Sequence, residues 1–367
     1  MKTQYDGKGL SMAEDRAKRM RELIEPLRVK PGSKVDLAHD FDPGYTPDGI
    51  TKDDADELLQ QGVEMLAEYQ ERLAAQDSWS VLMVLQALDA AGKDGTISHV
   101  MSGVNPQGVE VHSFKAPSAE ELDHDFLWRC QLKLPARGDI GIFNRSHYEE
   151  VLVVRVHPAF LGGQKLPESA TGPDIWERRY REINDWERQL TENGYKVAKV
   201  FLHMSKEEQR KRFLARIDES EKNWKFSAAD AKERAFWDAY QDAYAEMLSN
   251  TSTEWAPWFV VPADHKWFAR VAAAAVLGNA LIEIDPQWPV APPEEVAALA
   301  QAKAALEAEA PPDAAPDPNE PQAAAAEPAA APTPGSTAAS AVAGDAPVAE
   351  AEQKRGKKHG KKHGKKT

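Results

Sequence analysis

The chain has 367 residues, a net charge of −14 at neutral pH and a single cysteine, Cys130. This length accommodates one α/β domain of ordinary size with extensions. A single cysteine excludes an internal disulfide and a cysteine metal cage, and we interpret Cys130 as a buried structural thiol. The acidic balance excludes nucleic-acid binding by bulk electrostatics, so a polyanionic ligand requires a local basic groove.

The N-terminal sequence and the overall hydropathy pattern bear on localisation. Met1 to Asp6 are not followed by the apolar core of a secretory signal peptide. We find no uninterrupted apolar run as long as the roughly 20 residues that span a bilayer. We therefore expect a cytoplasmic protein with no membrane partner.

Residues 1–75 are predicted to form a helical extension. A first helix is expected from Met12 to Leu27, followed by a stretch rich in proline, glycine and aspartate, residues 29–51, that disfavours regular structure. A second helix is predicted from Thr51 to Ala75, with Thr51 as its N-cap. Its buried stripe is expected to consist of Leu58, Leu59, Met65, Leu66 and Leu73.

Residues 76–284 alternate between predicted strands and helices. Strands are predicted at Val81–Leu85, Val109–Phe114, Gly138–Phe143, Tyr195–Phe201 and Trp258–Val261. Helices are predicted at Ala119–Leu134, Lys206–Arg216 with Ser205 as cap, Ala228–Leu248 and His265–Ile282. This alternation is typical of an α/β fold of three layers, α/β/α, with a parallel sheet.

The composition changes near Asp285. Residues 285–352 consist mainly of alanine, proline and glutamate, and we predict a disordered linker with one helix-forming stretch, Glu294–Glu309. Residues 353–367 form a basic Lys/His/Gly tail with a charge of +8. Such a tail binds polyphosphate, nucleic acid or an anionic membrane, or serves only as a solubilising extension, and the sequence leaves these alternatives open.

A phosphate-binding loop (P-loop, or Walker A motif) is predicted after the first strand. A short apolar run leads into small residues and then into Gly92-Lys93 at the start of a helix, where backbone N–H groups and a lysine meet an anion. Compared with the standard motif, Ala87 replaces the first glycine and Asp94 replaces the magnesium-binding hydroxyl. The predicted phosphate-binding residues are Ala90, Ala91, Gly92, Lys93, Asp94, Gly95 and Thr96.

Two further positions suggest the kind of phosphate. Asp89 places a carboxylate inside the loop, where it repels phosphate unless a divalent cation lies between them, so it indicates a magnesium-bridged polyanion. The alternative is a solvent-exposed turn aspartate.

Asn144 and Arg145 end the third strand, where P-loop enzymes keep an acid. Arg145 is placed to contact the transferring phosphoryl group, or it forms only a structural ion pair.

These motifs resemble the polyphosphate kinase 2 family, P-loop kinases with inorganic polyphosphate as phosphoryl donor. The resemblance spans about residues 15–284. The matching blocks are Leu85–Ile97, Ser102–Gly108, Phe114–Pro117, His124–Arg129, Phe143–Val156, Ile183–Glu187, Phe201–Ser205 and Ala256–Trp258. Gln86-Ala87, Asn105-Pro-Gln-Gly108 and Asn144 to Glu149 resemble the subgroup that phosphorylates both nucleoside mono- and diphosphates.

The resemblance implies roles for individual residues. Asp89, Lys93 and Arg145 would be catalytic, and Asp89 and Asn144 would hold Mg²⁺, with Mn²⁺ as an alternative ion. A helical lid, residues 161–227, would bind polyphosphate through its basic residues. These are Arg178, Arg181, Lys211, Arg212, Arg216, Lys222 and Lys225. The nucleotide would be contacted by Lys115, Pro117, Glu121, Asp125 and Glu149.

The expected activity is phosphoryl transfer from inorganic polyphosphate to AMP or ADP, or to GMP or GDP, in a reversible reaction. The resemblance also implies a homodimer or homotetramer, and nucleic acid is not expected as a substrate. Two other functions remain open from the residues alone. One is an ATP-dependent nucleoside monophosphate kinase, and the other is a non-catalytic polyphosphate-binding protein.

Overall fold

The computed structural model describes residues 12–309 of the chain. Of these, residues 12–292 form one compact unit, and a second unit begins at Pro293. The second unit contains one described helix, which corresponds to the helix-forming stretch predicted inside the linker. The rest of the predicted linker and the basic tail lie outside the described residues.

Five parallel strands form the sheet, and all five were predicted. They are β1 (Ser80–Ala87), β2 (Val109–Ser113), β3 (Ile140–Asn144), β4 (Tyr195–His203) and β5 (Trp258–Pro262), in the spatial order β2-β3-β1-β4-β5. Leu85 pairs with Asn144 of β3, and Ala87 pairs with Leu202 of β4. The carboxyl ends of the strands therefore meet at one edge, which is where ligands bind in open α/β sheets.

Twelve α-helices accompany the strands in the described part of the chain. They are α1 (Met12–Ile24), α2 (Leu37–Asp40), α3 (Ala55–Gln76), α4 (Lys93–Val100), α5 (Trp128–Gln131), α6 (Val153–Val156), α7 (Ile175–Glu192), α8 (Lys206–Asp218), α9 (Ala228–Glu233), α10 (Trp237–Thr251), α11 (Lys266–Ile284) and α12 (Pro293–Ala308). Short 3₁₀ turns connect many of them; those used below are His147–Val151, Ser220–Lys225 and Arg234–Phe236.

The central strand β1 is buried on both faces and separates two cores. Val81, Met83 and Leu85 pack into a core that includes residues of α3 and α11. Leu82 and Val84 point the other way, into a core that includes residues of α7 and α10. Alternate residues of a strand face opposite sides of a sheet, so the three-layer α/β/α architecture predicted from the sequence is confirmed.

Helix α11 is long and apolar enough to span a membrane by composition alone, which the sequence analysis did not note. In the structure, 72% of the apolar stretch of this helix is buried inside the protein. It contacts α1, α3 and the sheet. We interpret α11 as the central helix of one core, because a fully buried helix is apolar all round.

Two local predictions need correction. Residues 119–134 do not form one helix, since His124 has an extended backbone and the chain contains only a 3₁₀ turn at Glu121–Asp123 and the short helix α5. Thr51 does not cap α3 as predicted. Its N–H and hydroxyl both donate to the carboxylate of Asp54, which is the residue that precedes the helix.

The predicted boundaries of the lid, residues 161–227, were too wide. This range contains β4, which pairs with both β1 and β5, and α7, which packs against β4. These two elements belong to the sheet and the core, and the lid itself remains a prediction. Within the predicted N-terminal helical extension, residues 1–75, Leu66 and Leu73 of α3 are fully buried in the same core as β1.

Candidate active site

The chain between β1 and α4 forms the phosphate-binding loop. Ala90 and Gly92 have positive φ angles of 68° and 105°, which turn the loop sharply before α4 begins at Lys93. Thr96 N–H donates to Gly92 O at 2.9 Å and starts the helical ladder. The N–H groups of the preceding helical residues have no partner within any helix, and here they lie at the edge of a cleft.

Lys93 folds back over this loop. Its Nζ donates to Ala87 O at 2.7 Å, and Leu88 O lies at 3.5 Å. Burial lowers the pKa of Lys93, and the nearby Asp89 carboxylate acts in the opposite direction. An ammonium group has three N–H donors, so Lys93 holds the loop and retains a donor for a phosphate oxygen in the cleft.

Asp89 and Arg145 form an ion pair, with 2.9 Å between Arg145 Nη2 and Asp89 Oδ1. Both side chains are half-exposed, at 36% for Asp89 and 40% for Arg145. Arg145 has a φ of 64°, and its N–H donates to Leu85 O, which fixes the chain at the end of β3 against β1. The pair therefore lies at the carboxyl edge of the two central strands.

Asn144 lies on the other side of the loop. Its Nδ2 donates to Asp94 Oδ1 at 2.7 Å and to Ser113 Oγ at 3.3 Å. These contacts join β3, β2 and the first turn of α4. The amide nitrogen of Asn144 thus orients the Asp94 carboxylate, which sequence reasoning did not predict.

A cleft of about 680 Å³ opens above the loop and is strongly basic. Nine lysine and arginine residues line it, against three aspartates, in a protein with a net charge of −14. The nine are Lys93, Lys115, Arg145, Arg212, Arg216, Lys222, Lys225, Lys266 and Arg270. A local basic groove on an acidic protein is what binding of a polyanion requires.

The structure brings some of the predicted lid residues into this cleft and leaves others out. Arg178 and Arg181 lie on α7 and do not line the cleft, and Arg178 instead pairs with Asp174 on its own helix. Lys211 is exposed on α8 and does not line it either.

Two cleft residues, Lys266 and Arg270, were missed by the sequence analysis. They are four residues apart at the start of α11, so they lie on one helical face. The sequence could have identified them, because two basic residues four positions apart follow directly after a predicted strand. The carboxyl end of that strand lies at the same edge of the sheet as the phosphate-binding loop.

A second cavity of about 410 Å³ lies beside the basic cleft. Its lining includes four aromatic side chains, from Phe160, Trp237, Tyr240 and Tyr244, and the acidic groups Glu149 and Glu233. Burial raises the pKa of Glu149, while Arg145 and Lys93 act in the opposite direction. Asp89, Arg145 and Asp230 line both cavities, so the ion pair lies where the two meet.

The five residues predicted to contact the nucleotide do not lie together. Lys115 lines the basic cleft and Glu149 lines the second cavity, whereas Pro117, Glu121 and Asp125 line neither. Glu121 accepts a hydrogen bond from Ser118 N–H and pairs with Arg129, and Asp125 accepts one from Leu127 N–H. Glu121 and Asp125 therefore have local structural roles.

A parallel sheet with a P-loop after its central strand, an aspartate in that loop and an arginine at the end of the neighbouring strand together define a P-loop phosphotransferase. Residues 49–287 match the family model described as polyphosphate kinase 2, and the chain belongs to that family. The family predicted from the motifs is thereby confirmed.

Named relatives and a solved structure agree with this family. The chain is 50% identical over 291 residues to the ADP-polyphosphate phosphotransferase of Rhodopseudomonas palustris, covering 78% of this chain and 99% of that protein. It is 43% identical to the AMP/ADP-polyphosphate phosphotransferase of Meiothermus ruber, covering 72% and 96%. A crystal structure of polyphosphate kinase 2 from Arthrobacter aurescens superposes with a TM-score of 0.68 at 44% identity, covering 76% and 96%.

Proposed function

We propose that this chain transfers phosphoryl groups from inorganic polyphosphate to AMP and ADP, and that the transfer takes place at Asp89 and Arg145. The observation that carries the proposal is the position of this ion pair between two unlike cavities. One cavity is lined by nine cationic side chains, and the other has aromatic and acidic walls. A polyanionic donor and a nucleoside-bearing acceptor need two such environments on either side of one reacting phosphate.

The basic cleft is the proposed donor site. Polyphosphate carries negative charge along its whole length, and Arg216, Lys222 and Lys225 extend the cationic surface beyond the loop itself. Arginine matches pairs of phosphate oxygens and lysine supplies point charges. An ATP-dependent kinase would need a nucleoside pocket beside the donor phosphates, and the donor cleft is lined mainly by charged side chains.

The second cavity is the proposed acceptor site. Tyr240, Tyr244 and Trp237 offer ring surfaces for a base, and Glu233 already accepts a hydrogen bond from Tyr240. A nucleotide bound there would direct its terminal phosphate toward Arg145. Because the cavity contains both acidic and aromatic groups, AMP, ADP, GMP and GDP all remain candidate acceptors.

The carboxylate oxygens of the site are the kind of ligand that hard divalent cations such as Mg²⁺ prefer. Asp89 and Asp94 supply carboxylates at the edge of the cleft. Among residues 12–309 no group of three or more His, Cys, Asp or Glu side chains forms a ready metal cage. Mg²⁺ often binds through only one or two carboxylates together with substrate phosphates, and Mn²⁺ is the alternative. When bound, the ion neutralises phosphate charge. Asn144 contributes by orienting Asp94.

The chemistry needs little from the protein beyond position and charge. A terminal oxygen of the acceptor phosphate attacks the end phosphorus of polyphosphate, a new P–O bond forms, and the bridging P–O bond breaks to leave a shorter polyphosphate. The attacking oxygen is already ionised, so no strong general base is required. Lys93 and the loop N–H groups hold the donor, and Arg145 stabilises the charge on the transferring group.

One assay tests the proposal. Purified protein is incubated with Mg²⁺, long-chain polyphosphate and either AMP or ADP, and the nucleotide products are separated by chromatography. We expect ADP to form from AMP, and ATP from ADP, when polyphosphate is the donor. We expect no ADP to form from AMP when ATP is the only phosphoryl donor. Polyphosphate binding without any nucleotide product would instead support a non-catalytic polyphosphate-binding protein.

We further propose that the enzyme is cytoplasmic and forms a homodimer or homotetramer, as the family resemblance implies. Light scattering coupled to gel filtration measures the second point directly. A monomer at the concentration used for the activity assay would contradict it.

A further inference from the structure

Two side chains of α8 lie beneath the phosphate-binding loop and hold its carbonyl groups. Gln209 Nε2 donates to Asp89 O at 3.0 Å. Arg212 Nη1 donates to Ala90 O at 3.1 Å and to Ala91 O at 2.9 Å. Gln209 and Arg212 are only 3% and 7% exposed. Three consecutive carbonyls of the loop are thus bound by two buried side chains of one helix.

The remaining N–H groups of Arg212 are also occupied. Its Nε donates to Glu208 Oε1 at 2.8 Å, and its Nη2 donates to Ala263 O at 2.5 Å and to Asp264 O at 3.2 Å. A guanidinium group has five N–H donors, and all five of these have acceptors within the protein. Arg212 therefore has no donor left for a phosphate oxygen, although it borders the cleft and was predicted as a polyphosphate ligand.

These contacts determine which way the loop's N–H groups point. In a trans peptide the carbonyl and the following N–H lie on opposite sides of the chain. Holding Ala91 O against α8 directs the N–H of Gly92 away from α8, toward the cleft. Asp89 O fixes the peptide between Asp89 and Ala90 in the same way, whereas the N–H of Ala91 donates to Leu88 O at 3.3 Å within the loop.

The loop needs such support because its backbone is unfavourable for its sequence. Ala90 has a φ of 68°, in the left-handed region that non-glycine residues rarely adopt. Gln209 and Arg212 bind the carbonyl of Ala90 itself and the carbonyls of the residues before and after it.

We propose that Gln209 and Arg212 are positioning residues that impose the anion-binding conformation of the loop, and that Arg212 is not a polyphosphate ligand. The structural part of this inference concerns the free protein. Its consequence for turnover rests on the proposed function.

The first test measures the loop without any substrate. Arg212→Lys keeps the charge but lacks the planar group that reaches four carbonyls. We expect faster amide hydrogen exchange in peptides covering residues 88–100 of the free variant than of the free wild type. The matched control is Arg216→Lys, one helical turn along α8, where within residues 12–309 only one N–H has an acceptor, Lys225 O. This control should not accelerate exchange in those peptides.

The second test uses the unfavourable backbone at Ala90. With saturating polyphosphate, Arg212→Lys should lower kcat about 100-fold, since misplacement of the loop by an ångström has effects of that size. Glycine adopts positive φ readily, so the same substitution in an Ala90→Gly background should cost less than about 10-fold. A ligand role for Arg212 predicts an equal loss in both backgrounds.

Unchanged hydrogen exchange in Arg212→Lys, or an equal loss of kcat with and without the Ala90→Gly substitution, would overturn the proposal. If Arg212→Lys does not fold, Gln209→Met removes a single donor at nearly constant volume and is put through the same two measurements. If the wild type shows no turnover with polyphosphate, the proposed function fails, while the exchange experiment still decides the role of α8.

Discussion

Asp89 and Lys93 are the two side chains of the loop that we propose to be catalytic. Asp89 faces Arg145 at 2.9 Å, and Lys93 is held at Ala87 O within the same loop. In the proposed reaction, both lie where charge develops on the transferring phosphoryl group. Interactions of this kind act in the transition state and commonly supply most of the rate.

We predict that Asp89→Asn and Lys93→Ala each lower turnover about 100-fold or more, because each removes a charge from the reacting centre. The measurement is the rate of ADP and ATP formation at saturating substrates. Thermal unfolding serves as the control, and both variants should unfold within a few degrees of the wild type. Turnover within tenfold of the wild type would remove the residue from the catalytic set.

Arg216 and Lys211 both lie on α8, and the sequence predicted both of them as polyphosphate ligands. Arg216 lines the basic cleft, and among the described residues only one of its N–H groups has an acceptor, whereas Lys211 is exposed and does not line the cleft. Arg216→Ala should raise the KM for polyphosphate about 10-fold, the effect of losing one charge-assisted hydrogen bond. Lys211→Ala is the matched control and should alter it by less than about twofold. Equal effects of the two would contradict the boundary of the cleft.

His203 makes the stability of the fold depend on pH. Burial at the end of β4 lowers the pKa of His203 to about 4, although Asp264 and Asp42 act in the opposite direction. Its ordinary value is about 6.5. In the folded protein the ring is neutral, and in the unfolded chain it takes up a proton below about pH 6.5. Its contribution to stability is therefore complete above that pH and is lost as the pH falls toward about 4.

We predict that the free energy of unfolding of the wild type falls relative to that of His203→Gln by up to about 3 kcal/mol between about pH 7 and about pH 4. Urea unfolding of both proteins at several pH values measures this difference. Other titrating groups are common to the two proteins and cancel. A difference that stays constant with pH would show that His203 has the same pKa in the folded protein and in the unfolded chain.

The residues of the site differ in how far the sequence predicted them. Asp89, Lys93 and Arg145 meet as expected, since strand order alone brings the ends of β1 and β3 together. Arg212 was assigned to polyphosphate because its spacing from Arg216 puts both on one helical face. Its acceptors come from Glu208 on the same helix, from the phosphate-binding loop and from the loop after β5. No local pattern reveals that two distant loops will occupy four of its five N–H groups.

Among the elements, a buried polar cluster links β4 and α7 to the 3₁₀ turn that follows Arg145. Lys199 Nζ donates to Glu187 Oε2 at 2.6 Å, to Tyr148 Oη at 2.9 Å and to Thr251 O at 2.6 Å. Tyr148 Oη donates to Glu187 Oε1 at 2.6 Å. The side chains of Lys199 and Glu187 are fully buried. The cluster holds the segment after β3, and with it Arg145, against the rest of the core.

We predict that Lys199→Met destabilises the fold by about 3–5 kcal/mol, because it leaves the Glu187 carboxylate buried without a counter-charge. Lys199→Met combined with Glu187→Gln should recover most of this loss. Denaturant unfolding of the two single variants and the double variant measures the coupling. Additive losses would mean that the two side chains do not stabilise each other.

Strands were easier to predict than helices, and the reason is visible in particular elements. β1 and β5 are short, apolar and buried on both faces, so their composition identifies them. The predicted helix Ala228–Leu248 is instead divided into α9 and α10 by a 3₁₀ turn at Arg234–Phe236. Arg234 donates there to Lys206 O and Gln209 Oε1 of α8, a tertiary contact that helical periodicity does not encode.

At the scale of the whole molecule, charge is distributed unevenly along the chain. The protein has a net charge of −14, yet it contains a cleft with nine cationic side chains and a C-terminal tail of +8. Acidic surfaces repel polyphosphate at a distance, so capture depends on the basic surfaces that the chain presents. In the proposed function the cleft binds a few phosphate units at a time, and the tail has the charge to contact a distant part of the same long polymer.

We predict that removing residues 353–367 raises the KM for long-chain polyphosphate about three- to tenfold at low salt, because tail contacts with phosphate release counterions. The difference should vanish near 1 M salt, where the Debye length falls to about 3 Å. Tripolyphosphate is the control substrate, since it is too short to occupy the cleft and the tail together, and its KM should not change. kcat should also be retained, because the truncation leaves Asp89, Lys93 and Arg145 unchanged. An identical KM for long polyphosphate at low salt would support the alternative that the tail is only a solubilising extension.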